Sequence, residues 1–276
     1  MARTIIDLAL NNPTLDNPRL IHSTTVPMND AWIFPDWPAP SRVHAAVTTR
    51  HGPGISQAPF ERFNLGLRSG DDEQAVRSNR SALRQSLDLP ADPRWLRQVH
   101  GTVAAELGPL PSREEPEADA AVSRVPGTVL AILTADCVPV LFCAEDGNTI
   151  GAAHAGWRGL AAGVLEQTIE QMQRPAGQLM AWIGPCIGAV SYEVSDDVRK
   201  AFIEQNAVAS DAFVATRPGH WQCDLAALAK QRLTAAGISR IHGGGFDTRT
   251  DERFYSYRRE GARSGRFASL IWLAQN

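Results

Sequence analysis

Three side chains suited to holding a metal ion stand out of the sequence: His100 in WLRQVHG, Cys137 in LTADCVPV and His154 in GAAHAGWRG. Each falls where a buried apolar segment is expected to end, so neighbouring strands would bring them together. Two imidazoles and a thiolate form a good donor set for zinc. Three protein ligands leave a fourth position for water or substrate, the pattern of a catalytic rather than a structural site. The long separations match no compact zinc signature. Other readings stay open at this point. A lone histidine at a strand end is ordinarily a satisfied polar residue. Cys137 alone fits a nucleophile served by His154, as in thiol hydrolases, or an inert buried cysteine.

The elements that must position these residues are read from periodicity. Short apolar runs predict strands at 128–133, 138–143, 149–153, 180–183 and 267–273. The turn Glu145-Asp146-Gly147-Asn148 suits a hairpin between the second and third, flanked by Cys137 and His154. Asp71 is the expected cap of a helix bearing Val76, Leu83 and Leu87, with Gln74 in a capping box. Ser195 and Asp224 begin two more helices, the latter ended by Gly237. A long helix is expected after Trp157, using Leu160, Val164, Leu165 and Met172. Hairpins mixed with crossovers indicate an α/β class, a mixed β-sheet sandwich covered by helices.

Composition bounds the rest. Hydrophobic residues make up 43% and charged residues 21% of 276, ordinary values for a chain with a sizeable core. A net charge of −3 gives no reason to expect nucleic acid or an acidic membrane as partner. No apolar run is long enough to span a bilayer. The four cysteines form no C-x-x-C pair and do not look like a disulfide framework. The N-terminus MARTIIDLALNNPTL lacks a long apolar region, so a cytoplasmic protein with reduced thiols is expected. Residues 1–30 read as a loose extension, with Met28 as an alternative start. Residues 31–276 read as one domain entered through the proline-rich PDWPAPSR. The expected state is a monomer or weak homo-oligomer.

The stretches FNLGLRSGDD, LRQVHG, ADAAVSR, LTADCVPVLFC, AAHAGWRGLAAGV, IGPCIG and YSYRREGARSGRFASLIWL together resemble the YfiH family. That family is also called laccase-like, DUF152 or purine nucleoside phosphorylase. The resemblance runs from about residue 32 to the C-terminus. It implies that His100, Cys137 and His154 are zinc ligands and that the fold is similar to that of toxin-type cysteine hydrolases. It also implies phosphorolysis of adenosine, inosine, guanosine and methylthioadenosine, with possible deamination of adenosine. Some members are linked instead to editing of peptidoglycan precursors. One departure is visible: many members carry a Cys-Thr pair where this chain has Phe246-Asp247-Thr248. That cysteine is no metal ligand in the family pattern.

Phosphorolysis needs a phosphate oxygen brought to C1′ of a ribose while the purine leaves. Arginine forks suit phosphate oxygens, and the candidates are Arg68, Arg158, Arg258 and Arg259. Arg158 leads because it follows His154 closely and lies near an expected helix N-terminus. Gly156 and Gly159 would let backbone approach a ligand or serve a tight strand-to-helix turn. Deamination needs a carboxyl to shuttle protons, and Asp136 and Asp119 are the candidates. Asp136 also suits capping a turn or holding a ligand histidine in one tautomer. Gln98 and Asn64 are expected contacts to ribose or base, and Tyr255 and Phe254 could stack a purine. Asp136, Cys137 and Arg158 are thus the expected catalytic set, with Asn64, Arg68, Gln98 and Arg258 binding substrate. Copper could occupy the same triad. A multicopper oxidase is poorly supplied, since the chain has seven histidines and no H-x-H pair. An amide hydrolase and a binding module with structural zinc complete the alternatives.

Overall fold

The structure, a computed structural model, describes residues 30–109 and 115–275. Its strands are β1 (Trp32–Ile33), β2 (Val43–Thr48), β3 (Ala104–Glu106), β4 (Ala120–Ser123), β5 (Val129–Thr134), β6 (Val138–Ala144) and β7 (Ile150–Ala155). They continue as β8 (Leu179–Ile183), β9 (Glu193–Ser195), β10 (Phe213–Arg217), β11 (His220–Cys223), β12 (Arg240–Gly243) and β13 (Phe267–Leu273). The α-helices are α1 (Glu73–Ser86), α2 (Trp157–Ala162), α3 (Val164–Met172), α4 (Asp196–Ile203), α5 (Leu225–Ala235) and α6 (Tyr257–Glu260). A six-stranded sheet runs β12-β8-β6-β7-β4-β3, a four-stranded sheet β1-β2-β13-β5 and a small sheet β10-β11-β9. Pairs β12/β8 and β3/β4 are parallel while β6/β7 is an antiparallel hairpin, so the large sheet is mixed, as expected.

Side-chain alternation explains the layering. In β5, Leu130 and Ile132 point into the core between the two large sheets, where they meet Leu141 and Cys143 of β6 and Phe267 and Ile271 of β13. Val129 and Ala131 point the other way, onto Leu83 of α1 and Phe63. In β6, Val138, Val140 and Phe142 face a helical layer with Leu160, Leu165, Val198 and Leu228. Period-2 strands buried on both faces thus produce two sheets back to back with helices outside. Among the described residues no helix is long and apolar enough to cross a membrane.

Several local expectations shift. The cap of α1 is Asp72, whose carboxylate accepts from Ala75 N. Asp71 is instead engaged by Asn64 Nδ2 and by Asp72 N. The long helix after Trp157 is two helices, broken at Gly163, which adopts φ of 103°. The segment leading into His100 is no regular strand; a single bridge joins Arg94 to Leu130 of β5 and another joins Arg97 to Glu117, ahead of β4. Strand β7 extends through His154. The expected N-terminal extension and Met28 lie outside the described residues, apart from Asp30. Its carboxylate contacts His51 Nδ1 at 2.7 Å and its carbonyl accepts from Thr49 Oγ1.

Helix caps give a direct stability test. Asp224 accepts from Ala227 N at 2.8 Å at the start of α5, whereas Ser195 makes no side-chain cap bond at the start of α4. In urea unfolding, Asp224→Ala should cost about 1 kcal/mol and Ser195→Ala much less. Equal losses would refute this assignment.

Candidate metal centre and cleft

The centre is assembled around the carboxylate of Asp119, which is fully buried just before β4. Pairing of β4 with β7 puts Ala120 opposite Ala153, which brings Asp119 beside His154. Asp119 Oδ1 lies 2.8 Å from His154 Nδ1 and accepts from His100 N at 2.9 Å. Oδ2 accepts from Val99 N at 3.1 Å and Gly101 N at 2.7 Å. This gathers three successive backbone N–H groups and explains how His100, a non-glycine residue, is held at φ of 63°. The bond to Nδ1 leaves His154 Nε2 as the free donor for a metal.

Cys137 arrives by a different route. The chain leaves β5 in the four-stranded sheet and enters β6 in the six-stranded one, and Cys137 is the last residue of that crossing. Asp136, at φ of 84°, makes the turn. Its Oδ1 accepts from Thr248 Oγ1 and its Oδ2 from Arg258 N, both at 2.6 Å. Cys137 Sγ then lies 3.8 Å from His100 Nε2, and the two imidazoles meet edge to face with centroids 4.7 Å apart. Gly156 completes the fit. A Cβ there would lie 2.5 Å from His100 Cδ2 and 3.1 Å from Cys137 Sγ. A Cβ at Gly159 would come within 2.8 Å of Gly101 O. These glycines therefore admit the His100 loop against the start of α2.

The donor atoms of His100, Cys137 and His154 all lie within 4.8 Å of one another, and the group could hold a metal ion. Tetrahedral zinc would set such atoms about 3.3–3.6 Å apart, a small contraction. Electrostatics favour it. Burial would push the Cys137 thiol up, but His154 charge and hydrogen bonds from His100 and His154 hold it down at about 6. Burial would lower His154, yet the Cys137 thiolate and Asp119 raise it. For Asp119, burial acts upward and is outweighed by His154 and by the N–H groups of Gly101 and Val99, which hold the carboxyl below its usual range. Cys143, Cys186 and Cys223 are buried thiols pushed upward by desolvation.

The centre opens into a cleft of about 600 Å³. Arg68, Gln98, Asp136, Arg158 and Arg258 line it. Their engagements differ from expectation. Gln98 bonds both the N–H and the carbonyl of Leu133, acting as a strand neighbour to β5. Both Asp136 oxygens are engaged, so its role here is to hold the Cys137 turn. Arg68 pairs with Glu115. Arg158 lies over the Trp157 ring at 4.4 Å and Arg258 over Tyr192 at 4.9 Å. Three expectations fail on burial. Asn64 is fully buried with its amide bonded to Ser69, Asp71, Gly66 and Arg266, so it cannot reach a ligand. Tyr255 and Phe254 are fully buried in the core, not stacking platforms. Arg259 bonds the carbonyls of Thr248, Arg249 and Phe254.

Sequence reasoning missed the holding role of Asp119 and the cleft residues Arg80, Arg266, Tyr192, Trp157 and Tyr257. The available signal was a charge set directly against an apolar, buried strand: Asp119 before β4 and Arg266 before β13.

Residues 44–274 match the family model described as multi-copper polyphenol oxidoreductase laccase. A Pseudomonas aeruginosa protein named purine nucleoside phosphorylase is 51% identical over 246 residues, 88% of this chain and 99% of that one. The Escherichia coli purine nucleoside phosphorylase YfiH is 45% identical over 242 residues, covering 87% and 98%. Among solved structures, a Neisseria meningitidis protein of family DUF152 superposes with a TM-score of 0.83 at 43% identity, covering 89% of this chain and all of that one. YlmD from Geobacillus stearothermophilus gives 0.80 at 30% identity, covering 89% and 97%. The chain belongs to this laccase-like, YfiH-type family.

Two measurements test the centre. Asp119→Asn should weaken metal affinity about 10–100-fold by chelator competition, because it releases His154 and the His100 loop; unchanged affinity would overturn the holding role. In metal-free protein, iodoacetamide should alkylate Cys137 ahead of the buried thiols. The rate should rise as pH passes about 6, where the thiolate forms, rather than near the ordinary thiol value. A rise only above pH 8 would contradict the assignment.

Proposed function

We propose that this chain is a zinc-dependent purine nucleoside phosphorylase acting on adenosine, inosine, guanosine or methylthioadenosine. The observation that carries this reading is the junction, in one cleft, of a three-donor metal centre with arginines and aromatic rings. Relatives named purine nucleoside phosphorylase support it. In the reaction, the glycosidic C1′–N bond breaks, a phosphate oxygen bonds to C1′ and the purine leaves with a proton. A zinc ion held by His100, Cys137 and His154 would supply Lewis-acid stabilisation of charge on a substrate oxygen. Asp119 keeps His154 in the ligating tautomer. Arg158 and Arg258 carry exposed guanidiniums suited to phosphate, each braced on an aromatic face. Trp157, Tyr192 and Tyr257 offer rings to a purine.

The accessory activities are less well supplied. Adenosine deamination needs a free carboxylate, yet Asp136 and Asp119 are both fully engaged by the scaffold. A multicopper oxidase needs further histidines near the triad. His44 instead stacks on Trp272 at 5.6 Å and His51 pairs with Asp30. A single copper at the triad remains compatible with its donors.

One observation favours a second reading. Cys137, His154 and Asp119 follow one another as thiol, imidazole and carboxylate, the order of a thiol hydrolase acting on an amide such as a peptidoglycan precursor. Chelation separates the two, since a thiol hydrolase survives loss of metal.

Zinc-loaded protein should release free base and ribose 1-phosphate in equal amounts from a purine nucleoside, only when phosphate is present. Chelation, His154→Ala or Cys137→Ala should each lower the rate on the order of a hundredfold or more. Base release independent of phosphate, or amide cleavage that persists under chelation, would overturn the phosphorylase reading.

A further inference from the structure

The cleft contains a half-buried cation that forms no salt bridge among the described residues. Arg266 stands immediately before β13 and lines the cleft. Its Nη1 donates to the carbonyls of Ser264 at 2.7 Å and Gly265 at 2.9 Å. Its Nε and Nη2 make no hydrogen bond among the described residues and are not sealed from solvent, in a residue that lines the cleft. The contrast with its neighbours is informative. Arg68 and Arg80 share Glu115, and Arg50 pairs with Glu260. A desolvated cation without a direct carboxylate partner is costly to keep in a fold, and such groups concentrate at functional sites; Asp136, Glu260 and the Cys137 thiolate act on Arg266 only from a distance. Burial accordingly depresses its pKa.

The guanidinium is also built in place. Asn64 Oδ1 accepts from both Gly66 N and Arg266 N, at 3.0 and 2.8 Å, while Leu65 N donates to Arg266 O. Gly66 leaves room for the stem, since a Cβ there would lie 2.7 Å from Arg266 Cγ. Asn64, unable to touch substrate, thus positions a residue that can. Arg158 and Arg258 also lack carboxylate partners, but both are exposed. Arg266 alone of the three has its fork oriented by two carbonyls, leaving its Nε and Nη2 edge for a ligand with paired oxygens.

We propose that Arg266 is the principal binding residue for the phosphate co-substrate, taking two oxygens of inorganic phosphate on its Nε and Nη2. This rests on the phosphorylase reading for the identity of the anion, but the binding step can be measured without turnover. Calorimetric titration of inorganic phosphate into zinc-loaded protein should show at least a tenfold loss of affinity in Arg266→Gln. Arg266→Lys should be intermediate, because it keeps the charge and loses the fork. Inosine affinity should change less than threefold. Because Arg266→Gln also frees two carbonyls and could impair folding, the unmodified protein provides a second measurement. Phosphate should protect Arg266 from phenylglyoxal, read by peptide mass spectrometry. Folded Arg266→Gln binding phosphate like the unmodified protein, or absence of protection, overturns the proposal. A nucleoside 5′-monophosphate that binds through Arg266 more tightly than free phosphate also overturns it, since the site would then take a phosphate already on its substrate. If phosphate binds through Arg266 but no ribose 1-phosphate forms, the reaction assignment fails and the anion site stands. If Arg266→Gln makes ribose 1-phosphate with an unchanged KM for phosphate, the site fails and the reaction stands.

Discussion

The buried carboxylate of Asp119 is the constraint on which the centre depends. One side chain fixes the tautomer of His154 and draws in the N–H groups of residues 99–101. An isolated buried carboxylate would be strongly unfavourable. Here every interaction that satisfies it also places a ligand, so the cost of burial is offset by contacts that shape the site. Two of the three donors therefore share one anchor, and the third stands where the chain crossing from the other sheet enters β6.

That third donor ties the metal centre to the sandwich. Cys137 ends a crossing between back-to-back sheets, and Asp136 holds the turn through Thr248 and the backbone of Arg258. Segments distant in the chain, at 100, 137, 154, 248 and 258, thus fix one another before any ligand arrives. Preorganisation of this kind keeps reorganisation small when charge develops in a reaction.

What the amino-acid sequence reveals follows from the range of each interaction. Strand β13 and the β6/β7 hairpin are legible because alternation and turn chemistry are local. The candidate triad is legible because His100, Cys137 and His154 sit in distinctive motifs; their residue types leave other readings open, and the family resemblance implies the ligand role. The duties of Asp119, Asn64 and Gln98 are not. Asp119 meets His154 only because β4 registers with β7, and Asn64 clamps a residue about two hundred positions away. Gln98 looks like a ligand contact from its type, yet its amide reproduces the hydrogen bonding of a missing strand. A polar side chain near a site signals either chemistry or scaffolding, and only its partners separate the two.

Gln98 has a wider consequence. Strand β5 is the outer strand of its sheet, and an open edge of alternating apolar residues invites pairing with another chain. Arg94 and the Gln98 amide cover that edge, and the same segment then delivers His100. Protection against self-association and presentation of a candidate metal donor are therefore carried by seven consecutive residues. Damage that peels this segment away would uncover an adhesive border and dismantle the reactive centre in one event, so inactive molecules of this kind would also be the ones most prone to clump.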